Sequence, residues 1–200
     1  MRSCWLLLLS LLTVSCSSRP PLRVENACEL FSDKPSWYVS MREAGKKWKV
    51  PMEMIMAFVH QESHFQSTAR PKKSYFLGFI PRGYTSSARG YSQALDGTWK
   101  RYQKETGKHG AQRDNIEDSA DFVGWYLTDA KKKIRVRAND TYHLYLVYHE
   151  GVDGYKSKTY LQKLWLLQVA KNVAVKEKQY QRQIRSCMGR RFASVTGEPQ

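Results

Sequence analysis

Apolar residues recur along most of the chain at the three- and four-residue spacing of amphipathic helices. Prolines at positions 35 and 51 stand where helices begin. The segments that follow the helical pattern are residues 35–47, 51–62, 97–105, 116–134, 140–148 and 159–185. No series of alternating, β-branched segments separated by turn residues accompanies them. The pattern predicts one mainly helical domain.

Residues 66–92 interrupt this periodicity. The segment contains glycines and prolines together with an aromatic cluster, namely Tyr75, Phe76, Phe79 and Tyr84. A connection of this length is usually functional or disordered, and its aromatic content argues against disorder. We therefore expect an ordered excursion, formed by a long loop or a short hairpin.

The first residues have the composition of an export signal. Arg2 precedes an apolar stretch at residues 5–14, which is too short to span a membrane as a mature helix. A small residue directly before Cys16 resembles the bacterial lipobox, although Thr13 stands where leucine is usual. The resemblance implies a lipid on Cys16, and the alternative is an ordinary cleaved signal. Both predict export.

The domain division follows from this signal and from the helical pattern. We expect a lipoprotein signal at residues 1–16, a tether at 17–30, the helical domain at 31–187 and a basic, frayed tail at 188–200. Disulfides persist in exported proteins. If Cys16 carries lipid, Cys28 and Cys187 remain as a possible pair bracketing the domain. The alternative is two separate buried thiols.

Glu62 ends a strongly apolar helical segment, so its carboxyl is expected to be partly desolvated. Desolvation raises the pKa of an acid toward the range useful for proton donation. Most glutamates at helix ends are solvated surface residues, however, so Glu62 by itself does not indicate catalysis.

Three short segments in order change this interpretation: residues 60–65, 88–93 and 145–151. Together they resemble the lysozyme-like lytic transglycosylases of the soluble-transglycosylase (SLT) family. The family has a glutamate-serine pair, a Gly-Leu-Met-Gln segment and an Ala-Tyr-Asn-x-Gly segment. The residues that match are Glu62, Ser63, Gly90, Gln93, Tyr148 and Gly151. Tyr91 and Ser92 replace the family's Leu and Met, His149 replaces its Asn, and the connection before Gln93 is longer than usual.

The resemblance implies an α+β lysozyme-like fold and cleavage of peptidoglycan glycan strands without a cofactor. Glu62 would act as acid and then as base, and Tyr148 would orient it. The other residues expected to contact substrate are Ser63, Gly90, Tyr91, Gln93 and His149, and Tyr91 or Tyr84 could stack on a sugar ring. The resemblance covers roughly residues 36–165.

Two other functions remain open. A hydrolase of the same bond, a muramidase, would need a second carboxylate, for which Glu150, Asp96 and Asp153 are candidates. A non-catalytic cell-wall or secretion-apparatus scaffold could retain the fold. His60 and His64 invite a zinc interpretation, but the metalloprotease pattern needs Glu directly after the first His, where Gln61 stands. We expect no metal, and place both histidines at the surface or cleft.

The formal net charge is +15, which requires an acidic partner to be considered. The basic residues are scattered, and no nucleic-acid-binding motif accompanies them, so we expect no nucleic acid. Exported basic proteins meet peptidoglycan carboxylates and anionic lipid headgroups instead. Ser17 after Cys16 favours the outer membrane, by resemblance to Gram-negative lipoprotein sorting, so we expect an anchored periplasmic protein. Aromatics at helical positions are expected in the core, namely Trp99, Trp125, Tyr126 and Trp165.

Overall fold

The computed structural model describes residues 23–77, 80–134, 136 and 140–191. Its helices are α1 (Ala27–Asp33), α2 (Pro35–Trp48), α3 (Met52–Ser63), α4 (Asp96–Thr106), α5 (Ile116–Lys133), α6 (Thr141–Lys156) and α7 (Leu164–Arg191), with a 3-10 helix at Thr159–Gln162. The two strands are β1 (Lys73–Phe76) and β2 (Ile80–Tyr84). The predicted mainly helical fold is confirmed. The signal with Cys16 and the tail after Arg191 lie outside the described residues.

Helix α3 is the centre of the domain. All side chains from Met54 to Val59 are fully buried, because α2, α5 and α7 pack around this helix. Pro51 precedes its first turn, and His64 ends it in the left-handed conformation with φ 49°. The burial of an entire helix explains why its sequence is apolar on most sides. Glu62, in the last turn of this helix, is therefore held by the core at a fixed position while part of its surface stays exposed.

The two ends of the domain are joined. A disulfide links Cys28 in α1 to Cys187 in α7, as the cysteine pattern had suggested. Beside it, the backbone N–H of Ala27 donates to Oε1 of Gln183 at 2.9 Å, and Leu30 is fully buried. The predicted tether is therefore too long, because residues 27–30 belong to the packed domain.

The excursion between α3 and α4 contains an antiparallel hairpin. Lys73 pairs with Tyr84 at one end and Phe76 with Ile80 at the other, with an irregularity between Ser74 and Tyr75. The expected short hairpin is thus present, with its strands at residues 73–76 and 80–84. Within the described part of the chain, no helix is long and apolar enough to cross a membrane.

The last two helices differ from the sequence prediction. Helix α6 continues past Tyr148 to Lys156 through a kink at Gly151, where φ is 73° and ψ 170°. The final helix starts only at Leu164, after the 3-10 turn. Trp165 in its first turn is 56% exposed, so its predicted core position is wrong. Trp99 and Trp125 are buried as expected, and Tyr126 is partly buried.

Candidate active site

The carboxyl of Glu62 receives a hydrogen bond from a tyrosine on α6. The hydroxyl of Tyr145 donates to Oε1 of Glu62 at 3.0 Å, and the Tyr145 side chain is almost completely buried. Burial raises the pKa of Glu62 to about 7, and the Tyr145 hydrogen bond opposes this rise by favouring the ionised form. A carboxyl with this pKa can release and regain a proton near neutral pH, as a residue serving as both acid and base requires.

Tyr148 does not have the contact that the sequence assigned to it. Its hydroxyl donates to the backbone oxygen of Ser92 at 2.6 Å, and its ring packs edge-on against Phe58. The prediction that Tyr148 orients Glu62 by a hydrogen bond is therefore wrong, and Tyr145 makes that bond. The two tyrosines lie three residues apart on one helix face, so both approach α3, but only Tyr145 reaches the carboxyl.

Ser63 has a structural role. Its side chain is buried, and its hydroxyl lies 3.0 Å from the oxygen of Val59 and 2.8 Å from the oxygen of Tyr91. A hydroxyl bonded in this way holds the 90–93 turn against the end of α3. The prediction that Ser63 contacts substrate is wrong for this reason.

The turn at residues 90–93 is held by its own hydrogen bonds. The N–H of Gly90 donates to the oxygen of Ala69 at 2.9 Å, and the side-chain amide of Gln93 donates to the oxygens of Ala69 and Gly90. The Gly90 N–H is therefore engaged within the protein rather than with a sugar, contrary to expectation. Gln93 is partly exposed, and its side-chain oxygen remains able to accept a bond from substrate.

Gly90 is required by the backbone at this turn. Its φ is +72°, and a Cβ at this position would lie 2.1 Å from the backbone oxygen of Arg113. Any larger residue would push the Arg113 segment away. Gly90 also lines a cavity of about 150 Å³, together with Ser67, Thr68, Arg70, Arg89, Arg113 and Asp114.

The two tyrosines proposed to stack on sugar rings differ in exposure. Tyr91 is only 4% exposed and packs edge-on against Trp37, with ring centroids 5.6 Å apart. Tyr91 is therefore a core residue, and its predicted sugar contact is wrong. Tyr84 on β2 is 47% exposed and stays a candidate.

Two of the three carboxylates considered for a hydrolase, Glu150 and Asp96, are engaged elsewhere. Glu150 lies 2.7 Å from Nζ of Lys163 and 2.9 Å from Nδ1 of His149. Burial raises the pKa of Glu150, but hydrogen bonds led by Lys163 outweigh it and lower the pKa to about 2. Asp96 is paired with Arg113 at 2.5 Å, and this bond lowers the pKa of Asp96. Neither carboxylate has the properties of a free base near neutral pH.

The histidines are placed differently from each other. His60 is buried, with Nε2 2.8 Å from Oε1 of Glu25, so its predicted position at the surface or cleft is wrong. His64 is exposed, as is His149, whose ring packs edge-on against Trp165. Among the residues that the structure describes, no three His, Cys, Asp or Glu side chains are grouped to hold a metal ion.

Sequence comparison identifies the family. The family model described as Transglycosylase SLT domain matches residues 4–187, which is most of the chain. The chain therefore belongs to the SLT transglycosylase family, and its helical fold with a small two-stranded sheet agrees with the lysozyme-like architecture. Membership assigns it, at the level of the family, to the enzymes that act on peptidoglycan as lytic transglycosylases. A search of curated proteins found no match.

Proposed function

We propose that this protein cleaves the β-1,4 bond between N-acetylmuramic acid and N-acetylglucosamine and leaves 1,6-anhydromuramyl ends. The observation that carries the proposal is the Glu62 carboxyl, partly buried, bonded by Tyr145 and with its pKa raised to about 7. A single group that is readily protonated and readily ionised is what an acid-then-base cycle requires.

The reaction would proceed in two steps. Glu62 first gives its proton to the bridging oxygen, the glycosidic bond breaks, and the substrate's own acetamido group stabilises the positive charge developing at C1. Glu62, now ionised, takes the proton of the muramyl C6 hydroxyl, whose oxygen closes on C1. The carboxyl ends protonated, and no water is consumed. This substrate-assisted route departs from the two-carboxylate scheme of most glycosidases.

The engagement of two rival carboxylates, Glu150 and Asp96, supports this route over hydrolysis. A hydrolase would need Glu150, Asp96 or Asp153 to activate water beside Glu62. Glu150 is held by Lys163, and Asp96 by Arg113, in contacts of 2.7 Å and 2.5 Å. Freeing either would break an ion pair. Asp153 is exposed, so hydrolysis stays the alternative that product analysis must exclude.

We place the protein in the periplasm, anchored by a lipid on Cys16 to the outer membrane of a Gram-negative bacterium. The placement rests on the composition of residues 1–16 and on Ser17. The Cys28–Cys187 disulfide supports an oxidising compartment, because structural disulfides are rare where thiols are kept reduced. Labelling with a radioactive fatty acid, lost in Cys16→Ala, tests the anchor.

The catalytic proposal is tested by the release of soluble glycan fragments from purified peptidoglycan. Glu62→Gln should release them at least about a hundredfold more slowly than the native chain, the low end for a positioned acid. Glu43→Gln is the matched control, because Glu43 is a surface glutamate on α2 with its side chain 59% exposed. Native rates in Glu62→Gln contradict the assignment, and no release by the native chain favours the scaffold alternative.

A further inference from the structure

The β1–β2 hairpin exposes large apolar and aromatic side chains. Leu77 is 70% exposed, Tyr75 52%, Tyr84 47% and Ile80 43%. A two-stranded hairpin is marginally stable by itself in water, and this one presents apolar surface that folding has not covered. Large apolar side chains exposed together on one short hairpin are typical of a site of interaction.

The same segment has a strongly one-sided charge. Residues 66–95 contain five basic residues and no acidic residue, the basic ones being Arg70, Lys72, Lys73, Arg82 and Arg89. All five are exposed. The Arg70 guanidinium and the Lys73 ammonium lie 5.2 Å and 5.9 Å from the ring centroid of Tyr84. Two of the five cations thus lie beside an exposed aromatic ring, and the partner of so basic a segment should be anionic.

Charge and hydrophobicity are layered along the hairpin. Lys73 pairs with Tyr84 at the end nearer the helices, and Phe76 with Ile80 at the far end. A strand rises about 3.3 Å per residue, which puts Leu77 about 13 Å beyond Lys73. Arg70, Lys72 and Lys73 therefore stand at the base, Tyr75 and Arg82 lie between, and Leu77 and Ile80 stand at the far end. Membrane interfaces present the matching order of anionic headgroups, an amphipathic boundary and acyl chains.

We propose that this hairpin surface, formed by Arg70, Lys72, Lys73, Tyr75, Leu77, Ile80 and Tyr84, docks on an anionic lipid bilayer. Leu77 and Ile80 enter the boundary between headgroups and acyl chains, while Lys72 and Lys73 meet the headgroups. Peptidoglycan offers carboxylates for the cations but no apolar layer for the far end of the hairpin, so a bilayer fits both parts. The inference goes beyond the catalytic proposal and does not depend on Glu62.

The docking would add to the proposed lipid anchor. One weak membrane signal gives reversible attachment, and a second one makes attachment stable. Glu62 lies in the last turn of α3, and strand β1 lies in the connection that follows this helix. Contact of the hairpin with the bilayer would therefore set the position of the Glu62 side of the domain relative to the membrane.

The test uses an unlipidated chain that starts at residue 17 and so retains every described residue. It is sedimented with vesicles of phosphatidylglycerol and phosphatidylethanolamine, and with vesicles of phosphatidylcholine alone. We expect binding to the anionic vesicles, weakened by salt. The variant Leu77→Ser/Ile80→Ser should lose at least about tenfold in affinity, because it removes the apolar insertion. Lys72→Gln/Lys73→Gln should lose about tenfold and most of its salt dependence.

The matched control is Leu161→Ser/Leu164→Ser, which changes a second pair of exposed apolar residues near the start of α7. The two leucines are 55% and 77% exposed. This variant should bind as the native chain does. Circular dichroism of all variants checks that the helical fold is kept. Failure of the native chain to bind anionic vesicles overturns the proposal, as does equal binding by Leu77→Ser/Ile80→Ser. If that variant instead loses binding only to insoluble peptidoglycan, the hairpin belongs to the glycan cleft.

Discussion

Oη of Tyr145 lies 3.0 Å from Oε1 of Glu62 and connects two helices across 83 residues of sequence. The bond opposes the desolvation of the carboxyl, and the balance between the two leaves the pKa of Glu62 at about 7. Tyr145 is therefore a positioning residue that also limits how weak an acid Glu62 becomes.

The first prediction concerns the pH dependence of catalysis. Glu62 must be protonated to start the reaction, so kcat/KM should fall as the pH rises through about 7. Tyr145→Phe removes the hydrogen bond that favours the ionised form, so the pKa of Glu62 should rise and this descending limb should move to higher pH. A pH–rate profile on soluble glycan fragments measures the shift.

The control for this prediction is Tyr148→Phe. It removes a hydroxyl that donates to Ser92, not to Glu62, so the midpoint of the limb should stay where it is in the native enzyme. A shift in Tyr148→Phe without one in Tyr145→Phe would restore the role that the sequence motif suggested for Tyr148.

The second prediction concerns stability. The pKa of Glu62 is about 7 in the folded chain and near the ordinary glutamate value of 4.5 in the unfolded chain, so between these pH values the folded state binds more protons. Stability should therefore fall as the pH rises from about 4.5 to about 7. Glu62→Gln lacks this contribution. The melting temperature of the variant, relative to that of the native chain, should therefore increase as the pH rises over this range. A difference in melting temperature between the two chains that stays constant across this pH range would contradict the burial of the Glu62 carboxyl.

The third prediction concerns the turn beside the site. Gly90→Ala places a methyl group 2.1 Å from the Arg113 oxygen at a φ of +72°. The strain should lower the free energy of unfolding by at least about 2 kcal/mol and reduce activity, because the turn is bonded to Ser63, next to Glu62. Gly97→Ala is the control. A Cβ there meets no atom within 4 Å, and alanine favours the helix, so chemical denaturation should show no loss.

Much of the fold could be predicted from local signals. Pro35 and Pro51 mark helix starts that the structure confirms, because α2 begins at Pro35 and α3 begins directly after Pro51. The raised pKa of Glu62 could be predicted because its helix is apolar on most sides. These features depend on neighbours in sequence.

The errors arise where burial depends on distant packing. Tyr91 and Ser63 are buried because the 90–93 turn is bonded to the end of α3, a contact that spans 28 residues. Trp165 has the spacing of a core residue, but its side of α7 is left exposed. Tyr145 was missed because it lies one turn before the motif tyrosine. The sequence did contain a signal for it, since Tyr145 stands three residues before Tyr148 and so lies on the same helix face.

The fourth prediction concerns the Cys28–Cys187 disulfide. It closes a loop with a sequence separation of 159 residues, and a loop of this size is expected to stabilise the fold by about 5 kcal/mol in the chain-entropy model. Cys28→Ser/Cys187→Ser should lose about that amount in urea unfolding, and the native chain should lose it on reduction. Non-reducing peptide mapping of the exported protein that finds both thiols free would contradict the link.

The central claim is tested most directly by mass spectrometry of the fragments released from purified peptidoglycan. Intramolecular closure by the C6 hydroxyl predicts 1,6-anhydromuramyl ends, lighter by one water than the hydrolysis products, without accumulation of reducing ends. Glu150→Gln should form the same anhydro products, because Glu150 is bonded to Lys163 rather than used as a base. Predominantly reducing muramyl ends, lost in Glu150→Gln, would contradict the transglycosylase mechanism and identify a hydrolase with Glu62 as its acid.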